Sequence, residues 1–139
     1  MPPNESHPVV GVGVVVLKGD EVLLIRRGRP PKQGEWSIPG GRQEFGETVR
    51  ECALREVLEE TGITCANPRL VDVVDLIRPE GKGHWTLVDF AADWAAGEPV
   101  AGDDAAEAKW VPAAELANLG LWTETIRIIR AAIAMKAAS

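Results

Sequence analysis

Glu56, Glu59 and Glu60 stand three and four residues apart in a stretch, Thr48 to Thr61, that contains neither glycine nor proline. On a helix each residue turns by about 100°, so the three carboxylates fall within about one third of its surface. Like charges at such spacings repel by about 0.2–0.5 kcal/mol per pair. Glu59 and Glu60 also stand at the C-terminal end, where the helix dipole disfavours anions by about 0.3–1 kcal/mol each. One reading is a solvated acidic face, softened by the pairs Glu51–Arg55 and Arg55–Glu59. The other is a cation site. A hard divalent ion would remove the repulsion, and Mg²⁺ binds through a few carboxylates, retained waters and substrate phosphate oxygens. Local frustration of this kind tends to mark function, but these residues alone leave both readings open.

Such a cluster needs a helix held against a sheet. Val49, Ala53 and Val57 repeat at four-residue spacing with Leu54 and Leu58 beside them. One side of a helix from about Thr48 to Thr61 is therefore expected to be apolar, with Gly62 as its stop. Upstream, Val9 to Leu17 and Val22 to Ile25 flank Lys18-Gly19-Asp20-Glu21 and predict a β-hairpin. Arg26 to Glu35 is expected to be a loop, and Trp36 to Ile38 a short strand running into Pro39-Gly40-Gly41. Downstream, strands are expected over Leu70 to Ile77, Trp85 to Ala92 and Lys109 to Val111. Gly97 to Asp104 predicts a polar loop, Pro112 to Leu119 a helix, and Thr123 to Lys136 a closing helix with Ile126, Ile129 and Ile133 on one face. Strands and helices mix without regular βαβ alternation. The expected fold class is α/β, a mixed sheet with helices on both sides, in one domain over residues 1–139.

With 45% apolar and 26% charged residues, the chain can bury a core. Its net charge of −6 gives no general attraction for nucleic acid or anionic membranes. A polyanionic substrate would need local cations, and Arg26, Arg27, Arg29, Lys32 and Arg42 supply them. Cys52 and Cys65 are too few for a disulfide framework and suit a reduced, cytoplasmic protein. Met1 to His7 lacks the basic and apolar regions of a signal peptide.

The stretch Gly41-Arg42-Gln43-Glu44-Phe45-Gly46-Glu47, continued by Arg55-Glu56-Val57-Leu58-Glu59-Glu60-Thr61-Gly62-Ile63, resembles the Nudix box. Its pattern, Gly-x5-Glu-x7-Arg-Glu-aliphatic-x-Glu-Glu-x-Gly-aliphatic, is complete here. The resemblance implies an α/β/α sandwich and hydrolysis of the pyrophosphate bridge in a nucleoside diphosphate derivative. It implies Mg²⁺, or Mn²⁺ in its place, held by Glu56, Glu59, Glu60 and the Gly40 carbonyl, with Arg55 orienting the carboxylates. Glu47 would fix the box loop against the helix N-terminus, and Gly41, Gly46 and Gly62 would serve backbone geometry. The divalent ions would neutralise the bridge and make a water more acidic for attack at phosphorus.

In relatives the acid that takes the water's proton is a box glutamate, such as Glu59 or Glu56 here, or an acid from a distal loop. The distal candidates are Asp103, Asp104 and Glu107, each of which also suits a solvated acidic loop, and Glu44 is similarly placed between roles. Arg27, Arg29 and Arg42 are candidates for phosphate contact, and Trp36 for stacking on a base, as are Phe45, Trp85 and Trp122. His84 is expected at the surface.

The run Arg26 to Trp36, with Leu119-Gly120-Leu121-Trp122-Thr123, is similar to bacterial members described as ADP-ribose pyrophosphatases. Arg78 holds the position where such members often place a proline, and Pro79 follows. The expected substrate is ADP-ribose, cleaved to AMP and ribose 5-phosphate. The alternatives are a nucleoside triphosphate pyrophosphohydrolase and a catalytically silent nucleotide sensor. The expected partner is this small molecule, without nucleic acid or membrane, and the family's habits allow a homodimer.

Overall fold

The computed structural model describes residues 7–30, 32–81, 83–102 and 104–138. Strand β1 (Val9–Lys18) turns at Gly19 into β2 (Glu21–Arg27), as the two apolar runs predict. Two short strands follow, β3 (Trp36–Ser37) and β4 (Gly40–Arg42), then helix α1 (Val49–Thr61). The chain continues through β5 (Thr64–Ile77), β6 (His84–Ala96) and β7 (Ala105–Pro112) to helix α2 (Thr123–Ala138).

The seven strands form one mixed sheet in the order β3-β2-β1-β6-β5, with β4 added to β1 and β7 to β2. Strand β1 pairs with β6 in parallel, Val9 opposite Trp85 through Leu17 opposite Asp93, and the other pairings are antiparallel. The opposite edge of β1 is shared. Leu17 and Lys18 pair with β2, whereas Gly11, Val12 and Gly13 pair with β4. Between these pairings, the Val14 amide donates to the Pro39 carbonyl at 2.9 Å.

Alternation along β1 divides the core into two layers. Val12, Val14 and Val16 meet Cys52, Ala53 and Val57 of α1, together with Phe90 and Ile63. Val15 and Leu17 meet Ile128, Ile129 and Ala132 of α2. Helices thus cover both faces of the sheet, the expected α/β/α arrangement. The Val49–Ala53–Val57 side of α1 packs inward, while Leu54 and Leu58 are exposed rather than part of that face.

Several boundaries differ from expectation. Strand β5 begins at Thr64, not Leu70, because an irregularity between Ala66 and Arg69 lets the pairing with β6 pass Asn67 and Pro68, which disfavour a regular strand. Strand β7 runs from Ala105, and Ala113–Asn118 is a 3-10 segment instead of an α-helix. Among the described residues no helix is long and apolar enough to cross a membrane.

Ile129 is fully buried beneath α2. Its truncation, Ile129→Ala, is expected to lower the unfolding free energy by about 2–5 kcal/mol in urea denaturation. A loss under about 1 kcal/mol would mean that this layer collapses around the cavity or is loosely packed.

Candidate active site

Helix α1 is tightly specified at both ends. The Thr48 hydroxyl accepts from the Glu51 amide at 3.0 Å, and the Glu51 carboxylate accepts from the Thr48 amide at 2.9 Å, closing a capping box. Glu51 is therefore engaged at the cap. At the other end Gly62 takes a left-handed conformation and its amide bonds the Leu58 carbonyl at 2.9 Å. These two caps fix where the helix begins and ends, and the packing of Ala53 and Val57 against the sheet sets which way its glutamates point.

Arg55 gathers the acidic groups. Its Nε and Nη2 donate to the two carboxylate oxygens of Glu47 at 2.6 and 2.9 Å. Its Nη1 reaches Glu56 at 2.6 Å and Glu59 at 3.0 Å, with Glu44 at 3.7 Å. Nη2 also donates to the Arg42 carbonyl at 3.1 Å. Glu47 accepts a further bond from the Glu44 amide at 3.0 Å. It thus ties the box loop to Arg55 of the helix from a position one residue before the N-cap. The Arg55 hydrogen bonds, then the Glu44 amide, hold the Glu47 carboxyl down at about 2. The same bonds keep Arg55 firmly protonated.

The third glutamate is held differently. Glu60 is nearly buried, and its Oε1 accepts from the Gly40 amide at 2.8 Å. Glu56 presses against the next residue of β4, where a Cβ on Gly41 would collide with its carboxylate. Gly41 is therefore required for close approach, not for unusual torsion angles. Among the described residues no three acidic, histidine or cysteine side chains converge as a ready-made metal cage. The donor set still fits a hard divalent ion. Glu56, Glu59 and Glu60 line a cleft with Gly40, and all offer carboxylate oxygens of the kind that bind an ion which retains water and takes substrate phosphate oxygens.

That cleft has a volume of about 750 Å³. Arg27, Arg29, Arg42 and Asp104 line it with the three glutamates. Asp104 forms an ion pair with Arg29 at 3.1 Å, and both are well exposed. Asp103 lies outside the described residues. Glu107 faces Arg26 across β2 and β7, paired at 3.3 Å. Trp36 packs on the core layer beneath α2, with the Lys109 ammonium 4.6 Å from its ring centroid. Phe45 is fully exposed, whereas Trp85 and Trp122 line the cleft. The Arg42 guanidinium stands 5.8 Å from the Trp85 ring, and Lys32 stands 5.8 Å from Trp122.

One cleft residue escapes a reading of motifs. Asp89 lies on β6, 7% exposed, facing the cleft. Its signal in the sequence is an acid interrupting the apolar run Leu87 to Ala92 of a central strand. Burial, and then the nearby Asp72 charge, push its carboxyl up to about 6. Because the folded protein favours the neutral acid, stability from this group is complete below the ordinary value of 3.8 and is lost as pH rises through 6. Relative to Asp89→Asn, the wild type is expected to lose about 2–3 kcal/mol of unfolding free energy between pH 4 and pH 7. Parallel pH-stability curves for the two proteins would refute this.

The NUDIX domain model matches residues 7–132. An ADP-ribose pyrophosphatase of Methanocaldococcus jannaschii is 38% identical over 120 residues, covering 86% of this chain and 71% of that protein. The human 8-oxo-dGDP phosphatase NUDT18 is 42% identical over 64 residues, covering 46% of this chain and 20% of that protein. In structure, a MutT NUDIX hydrolase from Burkholderia pseudomallei superposes with a TM-score of 0.80 at 30% identity, covering 89% of this chain and 97% of that one. With Gly41, Arg42, Glu56, Glu59 and Glu60 of the box lining one cleft, these matches establish that the chain belongs to the Nudix family and is a pyrophosphohydrolase.

Proposed function

We propose that the protein hydrolyses ADP-ribose to AMP and ribose 5-phosphate, using Mg²⁺ held by Glu56, Glu59, Glu60 and the Gly40 carbonyl. The observation that carries this reading is the cleft that brings the three box glutamates together with Arg27, Arg29 and Arg42 and with the rings of Trp85 and Trp122. A pyrophosphate flanked by two organic groups suits that combination of charge and aromatic surface. The Methanocaldococcus jannaschii relative supports the same choice of substrate.

When bound, a divalent ion supplies Lewis acidity and charge neutralisation at the bridge. The chain's own residues do the rest. Arg27, Arg29 and Arg42 meet phosphate oxygens by charge-assisted hydrogen bonds. Arg55 stays behind the glutamates and holds Glu56 and Glu59 in position through Nη1. Glu59 is the more exposed of those two, 44% against 15%, and takes the proton of the attacking water. Attack at one phosphorus breaks its bond to the bridging oxygen, which leaves on the other phosphate. Asp104 is the second candidate for the proton, its ion pair with Arg29 opening as phosphate replaces it.

Leu70, Val73 and Ile77 are exposed along β5, the outer strand beyond β6, and a homodimer would use this edge. A cytoplasmic setting is consistent with two free, buried cysteines.

Incubation with ADP-ribose and Mg²⁺ is expected to release AMP, and chelation to abolish it. Absence of AMP, with turnover of a nucleoside triphosphate instead, would reassign the substrate. Glu59→Gln is expected to lower kcat by about 10²–10⁴-fold with the fold intact by circular dichroism. A smaller loss than that of Asp104→Asn would move the proton-accepting role to the distal loop.

A further inference from the structure

We infer that Asp89 determines specificity by accepting a hydrogen bond from the nucleoside half of the substrate, in a slot over Gly11 and Gly13. The inference rests on the assignment of this cleft to a nucleotide substrate but not on ADP-ribose in particular.

The slot is built by absent side chains. Gly11, Gly13, Val15 and Leu17 share one face of β1, with the bulky pair under α2 and the two glycines in the cleft. A Cβ on Gly13 would lie 2.5 Å from Asp89 Oδ1 and 3.0 Å from Ile38, and one on Gly11 would lie 3.0 Å from Leu87 and 3.3 Å from the Trp85 ring. The two glycines therefore make room for these neighbours, so that Asp89, Ile38, Leu87 and Trp85 lean over β1 and line the cleft with it. Across the sheet Gly13 stands between Gly40 and Asp89, which puts Asp89 on the far side of β1 from the strand that carries the glutamate contacts. Phosphates belong with the arginines and with the metal that the glutamates would hold, and a carboxylate away from that metal repels them. What Asp89 can meet is an N–H or O–H donor.

Among the described residues no hydrogen bond or ion pair reaches the Asp89 carboxylate, although it is more than nine-tenths buried. The groups facing it are Asp72 from β5 and Glu124 and Arg127 from α2. Arg127 is already engaged, by Asp72 at 3.0 Å and by Glu124 at 2.7 Å. A leucine would continue the apolar run and avoid the cost of burying an unpartnered acid. A carboxylate that costs stability and opens onto a cleft is expected where a ligand supplies the missing donor.

The test compares wild type, Asp89→Leu (similar in shape, without an acceptor) and Asp89→Asn (one acceptor retained). Binding of AMP in the presence of Mg²⁺ is followed by tryptophan fluorescence, ADP-ribose hydrolysis by KM and kcat, and folding by thermal melts. Asp89→Leu is expected to melt at or above the wild-type temperature, while its AMP Kd and its KM rise by about tenfold and kcat changes less. Asp89→Asn should fall between. If the penalty disappears with purine riboside 5′-monophosphate, which lacks the 6-amino group, the donor is the base amine; if it persists, the donor is a ribose hydroxyl. Unchanged AMP affinity in Asp89→Leu, a loss confined to kcat, or failure of the wild type to bind AMP would each overturn the inference. Failure to hydrolyse ADP-ribose with AMP binding intact would overturn the substrate assignment and leave Asp89 to be judged by the AMP titration.

Discussion

The fork of Arg55 holds together groups that would otherwise separate. One guanidinium bonds Glu47 on two sides, spans Glu56 and Glu59 through a single nitrogen, and reaches the Arg42 carbonyl at the end of β4. Like-charged side chains at the C-terminal end of a helix repel each other and the dipole. Placing a delocalised cation among them offsets that repulsion while leaving their outer sides toward the cleft. A lysine could neutralise the charge, but a single ammonium cannot satisfy a bidentate carboxylate and two further acids in fixed directions. Loop, helix and β4 are thereby tied into one rigid corner.

The sheet supplies the complementary half of the site. Because β1 divides one edge between β2 and β4, the β4 backbone stands close enough for the Gly40 amide to meet Glu60 and for Gly41 to touch Glu56. A side chain at Gly41 would push Glu56 and its helix away from the strand, and one at Gly40 would collide with the β1 backbone at Val12 and Gly13. Strand β1 itself, through Gly11 and Gly13 on the α2 side, makes room for the Trp85, Leu87, Ile38 and Asp89 side chains that line the other part of the cleft. One central strand thus serves the phosphate end and the nucleoside end of the cleft.

The hairpin, the long helix and the closing helix were legible in the sequence because each has a clear period bounded by turn residues. The early start of β5 was not, since Asn67 and Pro68 argue locally against a strand and only pairing with β6 overrides them. In the site, the spacing of Glu56, Glu59 and Glu60 left a solvated face and a cation site both open, and the complete box from Gly41 to Ile63 decided between them. Trp36 could not be placed from its type, because a tryptophan beside the box serves the core as readily as a ligand, and here it packs against the α2 layer. Glu107 and Asp104 looked alike in the loop, yet strand register turns one toward Arg26 and leaves the other at the cleft. Asp89 carries no motif, and its meaning appears only when Gly13 is seen opposite it.

The parallel pairing of β1 with β6 joins residues 9–17 to residues 85–93. Parallel strands need a long crossover, and the loop-closure entropy of such a contact must be met before the contact stabilises anything. During synthesis the first strand must therefore wait for more than half the chain before its central partner exists. A nascent or truncated product ending before β6 would contain the whole box and the Arg55 corner but lack the Trp85, Leu87 and Asp89 wall of the cleft and much of both core layers. The motif that identifies the family is thus not a portable module, and its chemistry becomes available only late, when the chain closes on its own beginning.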